Sequence, residues 1–282
     1  MPVNDISPGL RARVALEKHG FRTAHALGQN FILDEGLLGR LLDLADIRKD
    51  DRIVEIGPGA GVMTALLSDR AAHVTAYEMD EKLRPVLAET LEGRDNVTVV
   101  FGDFMKVDLR MIEGDYRVVA NLPYYITSDI LTGLATCAHR PESITVMVQK
   151  EAADRLMSAP GQKNWSALSA FVRYYGDTEL LADVPRTAFD PQPHVDSCLI
   201  RVTKRAGGLL DPACEAMLFR VIRAAFLMRR KKLTNNLKAA FGLTQEQAAA
   251  ALRACGLRED VRGETLDVEE LKALAEKIGS NS

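Results

Sequence analysis

The sequence has no cysteine pair. Cys137, Cys198, Cys214 and Cys255 lie far apart with no C-x-x-C spacing, and the five histidines show no H-x-x-x-H spacing. A disulfide scaffold does not fit, no metal is expected, and the thiols read as reduced, structural residues of a cytoplasmic protein. No apolar run approaches the roughly 20 residues needed to cross a bilayer, so no membrane association is expected. Met1–Asp5 lacks a basic stretch followed by an apolar one, so no secretory signal is expected either. Internal repeats and low-complexity tracts are missing. So is a surplus of positive charge: Lys+Arg is 36, Asp+Glu is 39 and the net charge is −3, which argues against indiscriminate nucleic-acid binding.

What is there is an ordinary globular mixture, 47% hydrophobic and 27% charged, enough to bury a sizeable core over 282 residues. Residues 51–148 alternate short β-branched runs with helical patterns. Arg52–Ile56, His73–Tyr77, Val97–Phe101, Arg117–Ala120 and Ile144–Val148 read as strands, with helices over Val62–Ser68, Lys82–Leu91 and Ser128–Thr136. That rhythm predicts a parallel, doubly wound α/β sheet with helices on both faces. Ser166–Tyr175 and Ser197–Thr203 read as further strands forming an antiparallel edge. After Gly207-Gly208 the pattern becomes that of several short helices, with starts at Asp211-Pro212, Thr244 and Asp267. The expected organisation is an N-terminal helix or arm over 1–27, a sheet domain over 28–205 and a helical domain over 206–282.

Three strand ends carry chemistry. Val54-Glu55-Ile56-Gly57-Pro58-Gly59-Ala60-Gly61 closes the first strand and opens a helix. Glycines there let a ligand approach the backbone closely. The G-x-G-x-G spacing differs from the G-x-G-x-x-G of dinucleotide sites, which disfavours a nicotinamide-dependent oxidoreductase. The second strand ends at Tyr77-Glu78, followed by Met79, where a carboxylate suits both hydroxyls of a ribose. The third ends at Gly102-Asp103-Phe104, where an Asp suits an adenine amino group and Phe104 a packing wall. No basic residue for a diphosphate is evident, and Glu55 stands beside the loop. A phosphate-free cofactor with positive charge fits, and S-adenosylmethionine answers that description.

The fourth strand ends at Asn121-Leu122-Pro123-Tyr124-Tyr125-Ile126-Thr127. The exocyclic amine of adenine is a poor nucleophile because its lone pair is delocalised into the ring. Accepting both N–H hydrogens favours a more tetrahedral nitrogen. The Asn121 side-chain oxygen and the Leu122 carbonyl suit that task, Pro123 stiffens the turn, and Tyr124 offers a face for a base lifted from its strand. Positioning then supplies most of the catalysis.

With these residues, the chain resembles the small-subunit rRNA adenine N6,N6-dimethyltransferases (the KsgA/RsmA family). The matching segments are Gly28–Ile32, Val54–Thr64, Tyr77-Glu78, Gly102–Phe104, Asn121–Thr127, Val148–Glu151, Ala188–Ser197 and Ala225–Leu237, in the family's order. The resemblance implies a class I S-adenosylmethionine-dependent methyltransferase fold, Rossmann-like with a mostly parallel seven-stranded sheet, and a small all-α C-terminal domain. It implies dimethylation of two neighbouring adenines in a hairpin near the 3′ end of 16S rRNA, within an immature 30S subunit, by an enzyme expected to be a monomer. By position it also implies cofactor contacts from Asn30, Ile32, Gly57, Gly59, Glu78, Met79, Asp103, Phe104 and Asn121. Phe189 would be a second aromatic wall clamping the target adenine against Tyr124; read without the resemblance, it is an ordinary core residue. Ile32 stands where Leu is usual, His194 where a basic residue is common and Arg186 where Pro is common.

Residues 216–240 hold Arg220, Arg223, Arg229, Arg230, Lys231, Lys232 and Lys238 with no acid. Solvated helix faces usually mix signs, so this stretch, from Arg220 to Lys232 above all, is expected to contact RNA phosphates. Arg11, Arg13, Lys18 and Arg22 form a weaker candidate in the arm. Residues 201–238 carry ten basic and two acidic side chains, a surplus of eight, which leaves −11 on the rest of the chain. The net charge therefore averages an acidic part and a basic part. Two other readings remain open at this level: a large-subunit rRNA adenine methyltransferase of the erythromycin-resistance type, and an assembly factor acting mainly by binding.

Overall fold

A computed structural model describes residues 6–22, 29–207 and 209–280. Gly28, Gly208 and residues 23–27 of the expected arm lie outside the described residues. By contacts the chain forms two compact units: Met1–Ala153 with Glu179–Thr203, and Asp154–Thr178 with Lys204–Ser282.

The first unit is built on a sheet. Its strands are β1 (Arg52–Ile56), β2 (His73–Glu78), β3 (Val97–Phe101), β4 (Arg117–Asn121), β5 (Ser143–Gln149), β6 (Gly176–Val184) and β7 (Ser197–Lys204), in the order β3-β2-β1-β4-β5-β7-β6. The pairs among β1 to β5 are parallel, and β7 runs antiparallel to β5. The strand β5, SITVMVQ, is buried along nearly its whole length, as a central strand covered on both faces must be.

Helices α1 (Pro8–Lys18), α2 (Glu35–Asp43), α3 (Val62–Ser68), α4 (Arg84–Thr90) and α5 (Thr127–Thr136) belong to this unit. The Ser7 side chain caps α1 and Asp34 caps α2, each accepting a backbone N–H of the first turn. The core joins Leu38, Leu41 and Leu42 of α2 to Ile53, Val62, Leu67, Val74 and Leu87.

Strand order decides where a ligand can go. β1 has β2 on one side and β4 on the other, so the chain reverses direction across the sheet there, and the crevice at the carboxyl ends of β1 and β4 is open. Register aligns the strand ends. Ile53 pairs with Arg117 and Val54 with Val118, which carries Gly57 opposite Asn121. Ile56 pairs with Tyr77 and Glu78 with Phe101, so Glu78 and Asp103 follow on the same edge.

One expected strand is a helix. Ser166–Tyr175 contains α7 (Ala167–Tyr175), and the strand β6 begins only at Gly176. An apolar run of this length fits either period. The choice is made by a capping box, in which Ser166 and Ser169 exchange side-chain and backbone hydrogen bonds, and by burial of seven of the nine helix residues.

The short α6 (Lys150–Leu156) follows β5. The second unit is otherwise helical: α7, α8 (Pro212–Leu227), α9 (Leu233–Phe241), α10 (Gln245–Ala254) and α11 (Val268–Gly279). Asp211, Thr244 and Asp267 cap α8, α10 and α11, as the sequence signals predict. Trp165 is fully buried and donates its indole N–H to the Leu266 carbonyl at 3.2 Å. Gly263 lies against α8 so closely that a Cβ would fall inside the van der Waals shell of the Ala225 carbonyl oxygen. We expect Gly263→Ala to cost about 2–3 kcal/mol. Urea unfolding followed by the fluorescence of the single tryptophan would measure it; an unchanged midpoint would contradict so tight an approach.

Candidate active site

The aligned strand ends wall one cleft. Asn30, Ile32, Gly57, Gly59, Glu78, Met79, Asp103, Phe104, Asn121, Leu122, Pro123 and Tyr124 all line it. Thus every expected cofactor residue, and each expected catalytic residue but one, is brought to a single place. The exception is Phe189. It is 4% exposed, packs in the core cluster and is not among the cleft's walls. In this arrangement it has the position of a core residue.

The glycine loop is shaped by its own backbone. Gly57, Gly59 and Gly61 have φ of 72°, 56° and 83°, a region that side chains disfavour. A Cβ on Gly59 would stand 2.8 Å from the Phe31 ring. Pro123 lies on the other side, its ring 4.0 Å from where a Gly57 Cβ would be. The loop therefore lies close to both the Asn-Leu-Pro-Tyr turn and Phe31. Phe31 is held by paired backbone hydrogen bonds with Asp190, of 2.9 and 2.8 Å. This small antiparallel bridge sets Asn30 and Ile32 beside the loop, although they precede β1 by some twenty residues.

Asn121 is oriented by a distant partner. Its side-chain amide donates to the Asn30 carbonyl at 3.0 Å, which leaves Oδ1 as the free acceptor. The Leu122 N–H donates to the Met147 carbonyl at 3.2 Å, while the Leu122 carbonyl receives no hydrogen bond from the described residues. Tyr124 is half-buried, and its hydroxyl is 3.0 Å from Ser197 Oγ, which steadies the ring. Burial pushes the Tyr124 phenol up from its ordinary value, opposed by the Ser197 hydroxyl. Two acceptors, Asn121 Oδ1 and the Leu122 carbonyl, therefore stand next to a fixed aromatic ring.

The carboxylates divide the cofactor work. Glu78 accepts the Gly59 N–H at 3.1 Å on one oxygen and the Asp80 N–H at 2.8 Å on the other. Burial pushes its carboxyl up, while these backbone bonds pull it down. Each oxygen keeps a lone pair, so a diol can still donate to both. Asp103 accepts the Met105 N–H at 3.0 Å on Oδ1, and its Oδ2 lies 3.7 Å from Lys106 Nζ. The Phe104 ring packs edge-on against Tyr77 at 5.4 Å.

Glu55 is the anomaly of the cleft. It is fully buried, and neither carboxylate oxygen has a hydrogen-bond partner. The Thr64 hydroxyl neighbours it without a bond of good geometry, and is itself unpartnered. Burial pushes the Glu55 carboxyl up to about 8; Thr64 opposes this and the Glu78 charge adds to it.

Three contributors are additional to the sequence reading. Gln29 donates to Asp80 at 2.9 Å and steadies the turn after Glu78. Ser197 anchors Tyr124. Tyr125 is half exposed at the cleft mouth. Gln29, Ser197 and Tyr125 all stand inside the segments that carry the family resemblance, but nothing local marks which way they point. No group of three or more potential metal ligands occurs among the described residues.

The second unit sorts its cations. The Arg220 guanidinium lies 4.8 Å over the Phe241 ring, and that of Arg223 lies 5.4 Å over Phe171. Arg229 donates to Glu264 and to the Lys163 carbonyl, each at 3.0 Å. Arg230, Lys231 and Lys232 are exposed, and the charge of Lys232 helps to hold the Asp260 carboxyl below its ordinary value. Of the arm's cations, Lys18 pairs with Glu89 at 2.8 Å and Arg11 donates to the Glu92 carbonyl at 3.3 Å.

Known proteins resemble this chain over most of its length. The family model for ribosomal RNA adenine dimethylase matches residues 20–278. The ribosomal RNA small subunit methyltransferase A of Geobacillus thermodenitrificans is 41% identical over 284 residues, covering 97% of each chain. Its counterpart in Streptococcus thermophilus is 39% identical, covering 94% of this chain and 95% of its own. Among solved structures, the 23S rRNA methyltransferase ErmE is 29% identical with a TM-score of 0.66, over 89% of this chain and all of its own. A dimethyladenosine transferase from Plasmodium falciparum shares the fold, with a TM-score of 0.72 at 24% identity over 85% of this chain and 94% of its own.

Proposed function

Since the chain belongs to the ribosomal RNA adenine dimethylase family, we propose that it dimethylates the N6 amines of two adjacent adenines in the 3′-terminal hairpin of small-subunit rRNA, within an immature 30S subunit. It is an rRNA adenine dimethyltransferase that takes its methyl groups from S-adenosylmethionine. The observation that carries the site assignment is the Asn121–Asn30 hydrogen bond, which leaves one oriented amide oxygen beside an unused carbonyl.

The residues fit the cofactor on two counts. Gly59 leaves a cradle that a Cβ would fill, and Glu55 is a buried, unpartnered carboxyl suited to a cation. Glu78 would hold the ribose and Asp103 the adenine, with Phe104 and Met79 flanking. Asn30, Ile32 and the Gly57 backbone would meet the amino-acid end. When bound, S-adenosylmethionine supplies an electrophilic methyl on a sulfonium.

The chain's own residues prepare the nucleophile. Asn121 Oδ1 and the Leu122 carbonyl accept the two N–H hydrogens of the target adenine and so localise its lone pair. Tyr124, braced by Ser197, stacks under the ring. Attack needs no strong base at the outset, because the proton becomes acidic as the N–C bond forms. The apolar wall of Leu122, Pro123 and Met147 limits water around the reacting atoms.

The resemblance to ErmE keeps a large-subunit target as the second reading. Higher identity to the small-subunit enzymes, over nearly the whole chain, favours the first. Mapping dimethylated adenines by primer extension in both rRNAs, from cells with and without the protein, decides. Loss of two adjacent stops near the 3′ end of 16S rRNA is expected; loss of a stop in 23S rRNA instead would overturn the small-subunit assignment. Complementation with a catalytically dead variant that still binds subunits then separates binding from catalysis in the cell.

A further inference from the structure

We propose that Arg229 is a positioning residue and not a phosphate ligand: paired with Glu264, it holds the loop 228–232 so that Arg230, Lys231 and Lys232 are presented to RNA. The inference rests on the reading that this basic stretch contacts rRNA.

The loop joins α8 to α9, and both of its ends are fixed. At its start, the Ala225 carbonyl accepts from the fully buried Asn236 side chain at 3.1 Å, and Gly263 packs on the same peptide. At its end, the Leu233 N–H donates to the Val261 carbonyl at 2.8 Å. Within 228–232 the Lys231 N–H donates to the Met228 carbonyl at 2.9 Å, and the Lys232 carbonyl accepts the Asn235 N–H at 3.1 Å. Three consecutive cations repel one another and favour an open loop.

Arg229 opposes that. Its Nε donates to Glu264 Oε2 at 3.0 Å and a terminal nitrogen to the Lys163 carbonyl at 3.0 Å. A guanidinium engaged on two acceptors of its own unit is committed to holding shape. Glu264 is the telling partner. An acid at the border of a phosphate-binding surface should weaken binding by repulsion, unless its main effect is to order the cations. A loop already ordered loses less entropy on binding.

This reverses the sign expected for one substitution. Affinity for unmethylated small ribosomal subunits would be measured across roughly 50–200 mM salt. Glu264→Gln removes a negative charge, yet should bind about three- to tenfold more weakly, with a nearly unchanged salt slope. KM for the subunit should rise, while kcat and S-adenosylmethionine affinity stay as in the wild type. Arg229→Lys keeps the charge but loses the fork, and should fall equally; it also serves as the test variant if Glu264→Gln does not fold. The double variant Arg229→Lys with Glu264→Gln should be no worse than either single one.

Tighter or unchanged binding by Glu264→Gln overturns the proposal. So does full retention of affinity by Arg229→Lys, which a simple phosphate contact would give. Replacing Arg230, Lys231 and Lys232 together by alanine should lower the salt slope by about three. If that triple variant binds like the wild type, the RNA-facing reading fails and the proposal fails with it. If it weakens binding while Glu264→Gln does not, only the positioning role is lost.

Discussion

Replacing Asn121 by alanine is expected to lower kcat for methyl transfer about 100- to 1000-fold with subunit affinity unchanged. The magnitude follows from removing one preorganised polar contact to a reacting group in a water-poor site. The substitution removes the oxygen that accepts the adenine N–H, together with the hydrogen bond from Asn121 to the Asn30 carbonyl. Backbone acceptance by Leu122 survives, so activity should be crippled without being erased. Single-turnover transfer from labelled S-adenosylmethionine to unmethylated small subunits gives the number. Turnover within about tenfold of the wild type would mean that Asn121 does not activate the amine.

The second large effect is on stability. The Glu55 carboxyl is pushed up to about 8 by complete burial without a hydrogen-bond partner, from an ordinary value of 4.5. Below about pH 4.5 it is protonated in both folded and unfolded chains, and contributes no pH dependence. Between about pH 4.5 and 8 the unfolded chain has lost this proton and the folded protein keeps it. The folded state then binds more protons, so stability falls as pH rises through that window. The accumulated loss is on the order of 4 kcal/mol by pH 8, where it levels off.

Glu55→Gln removes the titration while keeping the shape. Without cofactor, the variant should gain on the wild type steadily from pH 5 to pH 8, whatever constant difference the amide itself introduces. Chemical denaturation at several pH values measures this. A difference that does not change with pH would show that Glu55 does not hold its proton in the folded protein. The destabilised group lies in the proposed cofactor cleft, where a cation would let it ionise. The same feature that costs stability in the free protein thus suits the cleft to a positively charged ligand.

Much of the cleft was legible in the sequence because its parts are local. Gly57 and Gly59 declare a turn that needs positive φ, Glu78 and Asp103 end their strands, and the Asn-Leu-Pro-Tyr turn ends another. Once the βαβ rhythm assigns these segments to parallel strands, their carboxyl ends must share an edge. The helix starts at Asp211, Thr244 and Asp267 were equally readable, since a cap is a contact of a residue with its own next turn. Ser166–Tyr175 was not, because a short, mostly apolar segment fits a helical and a strand period alike.

The sequence by itself therefore determined the strand-end chemistry, the order of the elements and the uneven spread of charge. Tertiary structure alone decided which of those groups are engaged. It turned the Asn121 amide onto Asn30 through a bridge between Phe31 and Asp190, far apart in the chain. It left Glu55 without a partner and packed Phe189 into the core. It also divided one run of cations into arginines stacked on rings, an arginine held by Glu264, and three exposed ones, of which Lys232 lies near Asp260. The reason is physical: propensity, capping and charge act between neighbours in sequence, whereas burial and hydrogen-bond partners depend on what the fold brings from elsewhere.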